Sequence, residues 1–176
     1  ADVSGKGMAA SLLMANVQAA LKLLASLDLE LSDIINRMNR LLFENTAPDI
    51  FVTMFIGIIN FQENKIKYIN AGHNHPFVIN NGTLIEKLST GGMPLGIFLD
   101  KYEYESHSYQ IKDNDIIVFY TDGITEAQNI SQQEFGENTF INLILNQTDT
   151  HPKRLVETAF VELKKYTEGC PQYDDI

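Results

Sequence analysis

Asp115-Ile116-Ile117-Val118-Phe119-Tyr120-Thr121-Asp122-Gly123-Ile124-Thr125-Glu126 is the stretch around which the chain organises itself. Five consecutive apolar or aromatic residues, Ile116 to Tyr120, are bounded by acids and punctuated by Gly123, the pattern of a strand buried on both faces. Asp122 follows directly. A carboxylate there is held by rigid backbone yet opens toward solvent, and the glycine after it lets chain or ligand approach closely, which suits a metal ligand. Taken in isolation, Asp-Gly after a strand is better read as a plain turn. The rest of the chain has to decide.

The 176 residues, 44% of them hydrophobic, suffice for one substantial core, so residues 1–176 are expected to form a single domain. Net charge is -10, from 23 acids against 13 bases, and the basic residues form no run. A nucleic-acid or anionic-membrane partner therefore has no electrostatic support, while the excess of carboxylates suits divalent cations and solubility alike. No stretch reaches the roughly 20 apolar residues that span a bilayer, so no membrane contact by this segment is expected. The one cysteine, Cys170, excludes an internal disulfide framework and fits a reducing, cytoplasmic location.

Ala1 to Gly7 reads as a glycine-punctuated turn feeding a helix; the spacing of a phosphate-binding loop is absent. From Met8 to about Ser26, Leu13, Val17, Ala20, Leu21 and Leu24 form one helical stripe. Leu31, Ile34, Ile35, Met38, Leu41 and Leu42 form another, over about Leu29 to Asn45, with Asp28 and Ser32 as candidate caps. Pro48 ends the helical region. Ile50 to Ile59 and Lys65 to Ala71 predict one hairpin, and Pro76 to Asn80 with Thr83 to Leu88 predict a second around Asn80-Asn81-Gly82. Tyr104 to Ile111 and Asp115 to Tyr120 predict a third, turned at Asp113-Asn114, so that the strands run as an antiparallel meander. Helices are expected from about Gly136 to Leu145 and from Pro152 to Thr167, the last presenting Leu155, Ala159, Phe160 and Leu163 on one face. His73 and His75 have the spacing of metal ligands but lack a third nitrogen or sulfur ligand nearby, which favours a structural role.

Three acidic positions share a character: Asp2 in a glycine turn, Asp122 at a strand end, and Asp174 with Asp175 opening what reads as another strand. Carboxylates that converge without bases repel, so convergence would imply hard cations, magnesium or manganese. Two such ions about 3.5 to 4 Å apart lower the pKa of a water and clamp a phosphoryl oxygen.

Six segments supply a resemblance. Asp2-Val3-Ser4-Gly5-Lys6-Gly7, Phe51-Val52-Thr53-Met54-Phe55, Ala71-Gly72-His73-Asn74, Pro94-Leu95-Gly96, Tyr120-Thr121-Asp122-Gly123-Ile124-Thr125-Glu126 and Asp174-Asp175-Ile176 resemble, in order, the motifs of bacterial SpoIIE/RsbU-type serine/threonine phosphatases. These belong to the metal-dependent protein phosphatase (PPM) superfamily. The resemblance implies an α+β fold, a four-layer α-β-β-α sandwich of two antiparallel sheets flanked by helix pairs, with two manganese or magnesium ions. It implies hydrolysis of phosphoserine or phosphothreonine on an anti-sigma-factor antagonist, in bacterial stress or sporulation-type signalling, and an upstream sensor or receiver domain. Carried over by position, Asp2 bridges the metals, the Val3 carbonyl contacts one, and Asp122 and Asp174 complete the ligands. Lys6, Gly123 and Asp175 stand where phosphate or the metals' outer partners would be contacted. A metal-bound water attacks phosphorus in the family, so no protein nucleophile is implied; Ser4 reads as a turn hydroxyl.

The chain departs from the family at both ends: an earlier acidic motif is missing, and so is the final strand. The domain is therefore expected to be truncated at both termini and of doubtful activity as it stands, with exposed strand edges that would favour a homodimer. A catalytically silent interaction module, relaying a signal through Met8 to Asn45, is the alternative. A two-metal phosphodiesterase acting on nucleotides or nucleic acid has the acidic surface against it.

Overall fold

The computed structural model describes residues 1–99, 102–172 and 174–176. Its elements in chain order are β1 (Asp2–Val3), α1 (Met8–Ala25), α2 (Leu31–Asn45), β2 (Val52–Asn60), β3 (Lys65–Ala71), β4 (Phe77–Asn80), β5 (Thr83–Lys87), β6 (Gly91–Gly92), β7 (His107–Gln110), β8 (Asp115–Val118), α3 (Asp122–Thr125), α4 (Glu137–Leu145) and α5 (Pro152–Tyr166). They fall into two compact units, Ala1–His73 with Leu88–Lys112, and Asn74–Lys87 with Asp113–Ile176.

The first unit is a five-stranded sheet carrying the helix pair α1 and α2. Its spine is the β2–β3 hairpin, in register from Met54↔Ala71 to Asn60↔Lys65. The turn closes because the Asn60 carboxamide oxygen accepts the amides of Gln62 (2.9 Å) and Glu63 (3.1 Å), and Asn64 takes a left-handed φ of 49°. β1 pairs antiparallel with β2, Asp2 opposite Thr53, which puts Asp2 on a strand rather than in the expected turn. β7 pairs antiparallel with β3, whereas β6 pairs parallel with it, so the sheet is not purely antiparallel.

α2 buries Leu31, Ile34, Ile35, Met38, Asn39 and Leu42, a stripe at helical spacing whose large apolar members are each worth about 1.5–3 kcal/mol. Its N-cap is Glu30 and makes no side-chain capping bond; neither Asp28 nor Ser32 caps it. α1 buries Val17, with Leu13, Leu21 and Leu24 packed on the same cluster as Met38, Val52, Met54 and Ile69. At 18 residues α1 is long and apolar enough to cross a membrane by length and composition, which the sequence reading did not anticipate. That inner stripe and the polar Ser11, Asn16, Gln18 and Lys22 instead read as a helix lying on a core.

The second unit is a three-stranded antiparallel sheet, β5-β4-β8, with α3, α4 and α5. Asn81 and Gly82 both have positive φ (47° and 73°), as a two-residue hairpin turn that follows strand twist requires. β8 does not form the expected hairpin with the preceding strand: it pairs with β4, Phe77↔Val118 to Asn80↔Asp115, while β7 joins β3. Its four residues are half-buried, not buried on both faces, because it is an edge strand of this sheet. α4 buries Phe140, Ile141 and Ile144. On α5 the inward stripe is Leu155, Ala159, Leu163 and Tyr166; Phe160, expected on it, is 51% exposed. Asp174, Asp175 and Ile176 lie outside any strand, contrary to expectation.

One buried polar side chain ties α2 to the Pro94-Leu95-Gly96 loop. The Asn39 side chain, 3% exposed, donates to the Phe98 carbonyl (2.8 Å) and accepts the Gly96 amide (2.8 Å). Asn39→Leu leaves both partners without that bond and should cost about 2–4 kcal/mol, read as a lower denaturation midpoint with unchanged m-value; a loss below about 1 kcal/mol would show that the clamp contributes little.

Candidate functional site

Asp122 opens a single helical turn, α3, whose N-cap Thr121 is extended. The turn is closed by the Ile124 amide on the Thr121 carbonyl (3.2 Å) and the Glu126 amide on the Asp122 carbonyl (2.7 Å). The end of the chain packs onto it. Thr121 Oγ1 donates to the Asp175 carbonyl (2.7 Å), and a Cβ on Gly123 would lie 2.1 Å from that same oxygen. Glycine is required at 123 because backbone from the 174–176 segment occupies the space a side chain would need. Asp174 is held in turn: its Oδ1 accepts the Asp175 amide (2.9 Å) and its carbonyl accepts Gln172 Nε2 (2.7 Å). The second unit thus packs the segment bearing Asp174 and Asp175 against the turn bearing Asp122 and Gly123.

Tyr120 anchors the approach to that turn. It is 7% exposed, its ring packed on Phe77 (5.8 Å between centroids) and Phe140 (5.2 Å). Its hydroxyl donates to Glu137 Oε1 (2.6 Å), and Lys87 Nζ meets Glu137 Oε2 at 2.5 Å. Burial, then the bond to Glu137, raises the Tyr120 pKa. Burial opposes ionisation of Glu137, but hydrogen bonds from Lys87 and Tyr120 outweigh it and hold that carboxyl below its ordinary range. Sequence reasoning missed Lys87 and Glu137, which stand 50 residues apart and carry no local signal.

In the first unit, Asp2 is half-buried on the edge strand β1, and the loop bearing the exposed Lys6 follows it. The Ser4 amide donates to the Phe51 carbonyl (2.9 Å), which makes Val3 and Val52 the non-bonded pair of the ladder. Val52 accordingly exchanges both its backbone bonds with Leu95 (3.0 and 2.8 Å), and the Val3 carbonyl points away from β2. Ser4 Oγ accepts the Phe51 amide (2.9 Å), the turn role expected of it. The expected metal donors are thus carboxylate and peptide oxygens, without thiolate or imidazole, a chemistry that fits a hard divalent cation such as magnesium or manganese. Among the described residues no group of three or more His, Cys, Asp or Glu stands close enough to hold a metal ion.

His73 is half-buried, its ring Nδ1 2.9 Å from Thr53 Oγ1 and its amide donating to Asn70 Oδ1 (2.7 Å); His75 is exposed. Burial pushes the His73 pKa from 6.5 down to about 4. A folded pKa below the unfolded value means that the unfolded chain binds the extra proton, so the contribution to stability is intact above pH 6.5 and is lost as pH falls toward 4. Between pH 7 and 4.5 the melting temperature of the wild type should therefore fall further than that of His73→Gln. Parallel curves would place the titration elsewhere.

The profile of the family described as "Stage II sporulation protein E (SpoIIE)" matches residues 1–176 and runs through both units. "Phosphoserine phosphatase RsbU" of Bacillus subtilis is 31% identical over 129 residues, 73% of this chain and 38% of RsbU. The chain spans well under half the length of the curated relatives it matches. Among solved structures, the PP2C phosphatase domain of SpoIIE from Bacillus subtilis, with a fragment of its regulatory domain, superposes with a TM-score of 0.81 at 20% identity, over 97% of this chain and 49% of that one. RsbX in complex with magnesium superposes with a TM-score of 0.62 at 18% identity, over 94% of this chain and 70% of that one. By its match along the whole sequence the chain belongs to the SpoIIE family, and its α+β fold is that of PP2C phosphatase domains.

Proposed function

We propose that this chain is the catalytic portion of a metal-dependent protein phosphatase acting on phosphoserine or phosphothreonine. The observation that supports it most is the packing of the Asp174-Asp175 segment on the Asp122-Gly123 turn, within a chain that matches a phosphatase family throughout. RsbU is by name a phosphoserine phosphatase, and RsbX was solved with magnesium. On this reading Asp2, the Val3 carbonyl, Asp122 and Asp174 are the ligands of two manganese or magnesium ions. Bound divalent ions would lower the pKa of a water and offset charge on the phosphoryl oxygens.

The chain's own residues supply position and charge. Strand β1 and the turn after β8 fix the carboxylates on backbone held by pairing or packing, so little freedom is lost when a ligand binds. Lys6, on a flexible stem in an exposed loop, is suited to hold phosphate as a point charge. Ser4, its hydroxyl engaged by Phe51, is a poor nucleophile, which fits attack by water. Resemblance to the family points to a phosphorylated anti-sigma-factor antagonist as substrate and a sensor or receiver domain as upstream partner; the single cysteine fits a cytoplasmic location, and exposed strand edges would favour dimerisation.

A second reading, a silent interaction module of the same fold, draws on the lack of a three-residue metal cluster among the described residues. Manganese-dependent phosphate release from a phosphopeptide by the intact parent protein separates the two. Asp122→Asn should lower the rate about a hundredfold or more, since loss of even an outer partner of a metal ligand costs about 10- to 100-fold. Equal rates would remove Asp122 from the site, and a wild type inert in manganese would favour the silent module.

A further inference from the structure

We infer that Glu137 is a positioning residue for Asp122, acting through Tyr120, a role that rests on Asp122 being a metal ligand. The last ladder pair of β8 is Phe77↔Val118, so Phe119, Tyr120 and Thr121 carry the chain past the sheet before Asp122 begins its turn. A helix of four residues, closed by two backbone bonds, has little rigidity of its own. Its position is set by what brackets it, and two adjacent residues at the start of α4 do so. Gly136 donates its amide to the Thr125 carbonyl (2.8 Å), three residues after Asp122. Glu137 accepts the Tyr120 hydroxyl (2.6 Å), two residues before it. Lys87, reaching from β5 to the other oxygen of Glu137, fixes the carboxylate and leaves Oε1 turned to Tyr120.

The Phe77 and Phe140 rings confine the Tyr120 ring. The hydrogen bond at the ring's tip adds a directional restraint to that packing. The Tyr120–Glu137 bond thereby fixes how far the chain advances beyond the sheet, and with it where the Asp122 carboxylate sits relative to the Asp174 segment. Glu137 touches Tyr120 and not Asp122, so its effect on a metal held by Asp122 would be transmitted through the backbone between them.

The test uses manganese alone as ligand, on the full chain, with the dissociation constant from calorimetric titration and the melting temperature of each metal-free variant. Tyr120→Phe, which keeps the ring, and Glu137→Ala should each weaken manganese binding by about tenfold, the lower end for outer partners. Glu137→Gln leaves a single oxygen for Lys87 and Tyr120 to share, so its manganese affinity should fall between those of the wild type and Glu137→Ala. Variants that melt lower yet bind manganese as the wild type does would show a purely structural network and overturn the inference. Asp122→Asn separates the two failures. If it abolishes binding while Tyr120→Phe and Glu137→Ala leave it unchanged, the positioning role alone is wrong; if it too leaves binding unchanged, the ligand assignment falls and the positioning role with it.

Discussion

A backbone carbonyl sits where position 123 would otherwise carry a side chain. The Asp175 oxygen lies 2.1 Å from the place a Cβ would take, a contact that only glycine permits, and the same oxygen accepts the Thr121 hydroxyl. The constraint works in both directions. It requires glycine immediately after Asp122, and it seats the segment carrying Asp174 on the turn that carries Asp122. A dipeptide that by itself is an ordinary turn thereby joins two acidic segments separated by some fifty residues of loop and helix. Everything proposed for the second unit depends on this approach.

Support for that turn comes from the unit's own core. Tyr120 belongs to the same apolar cluster as Phe77, Phe140, Ile144, Leu155 and Leu163, so the residue leading to Asp122 is anchored by the packing that holds the sheet and its helices together. The first unit treats Asp2 in a comparable way. Val3 is buried in that unit's cluster, while Asp2, its neighbour on an edge strand, is half-buried. In each case an acid stands within two residues of one that the core immobilises, an arrangement that delivers a charged group without burying it.

Much of this was legible in the sequence where the signal is local. The helical stripes of α1, α2 and α4, the Asn81-Gly82 hairpin and the Lys65–Ala71 strand follow from periodicity and turn chemistry, and the structure places them within a few residues of expectation. Expectation failed where the deciding partner is distant. Tyr104–Ile111 and Asp115–Tyr120 read as a hairpin because Asp113-Asn114 is a good turn, and Asn114 does adopt a φ of 66°; the strands nonetheless pair with β3 and β4. The continuous apolar run of β8 suggested a doubly buried strand, but an edge position leaves it half-buried and Phe119 53% exposed. Asp2 and Asp122 could be singled out because each stands at the edge of an element, Asp122 directly before Gly123 and Asp2 in the glycine-punctuated opening stretch. Glu137 and Lys87 could not, since an acid opening a helix and a lysine ending a strand are common surface features, and their pairing exists only once β5 and α4 have packed.

The central claim is that Asp122 and Asp174 hold a divalent cation in a chain of the SpoIIE family. Crystals grown with manganese, measured at its absorption edge, address it directly. The account predicts an anomalous peak within coordination distance of the Asp122 and Asp174 carboxylates, with Gly123 still closed against the Asp175 carbonyl. Saturating manganese with no peak at those carboxylates, or with peaks confined to other acidic residues, would contradict it.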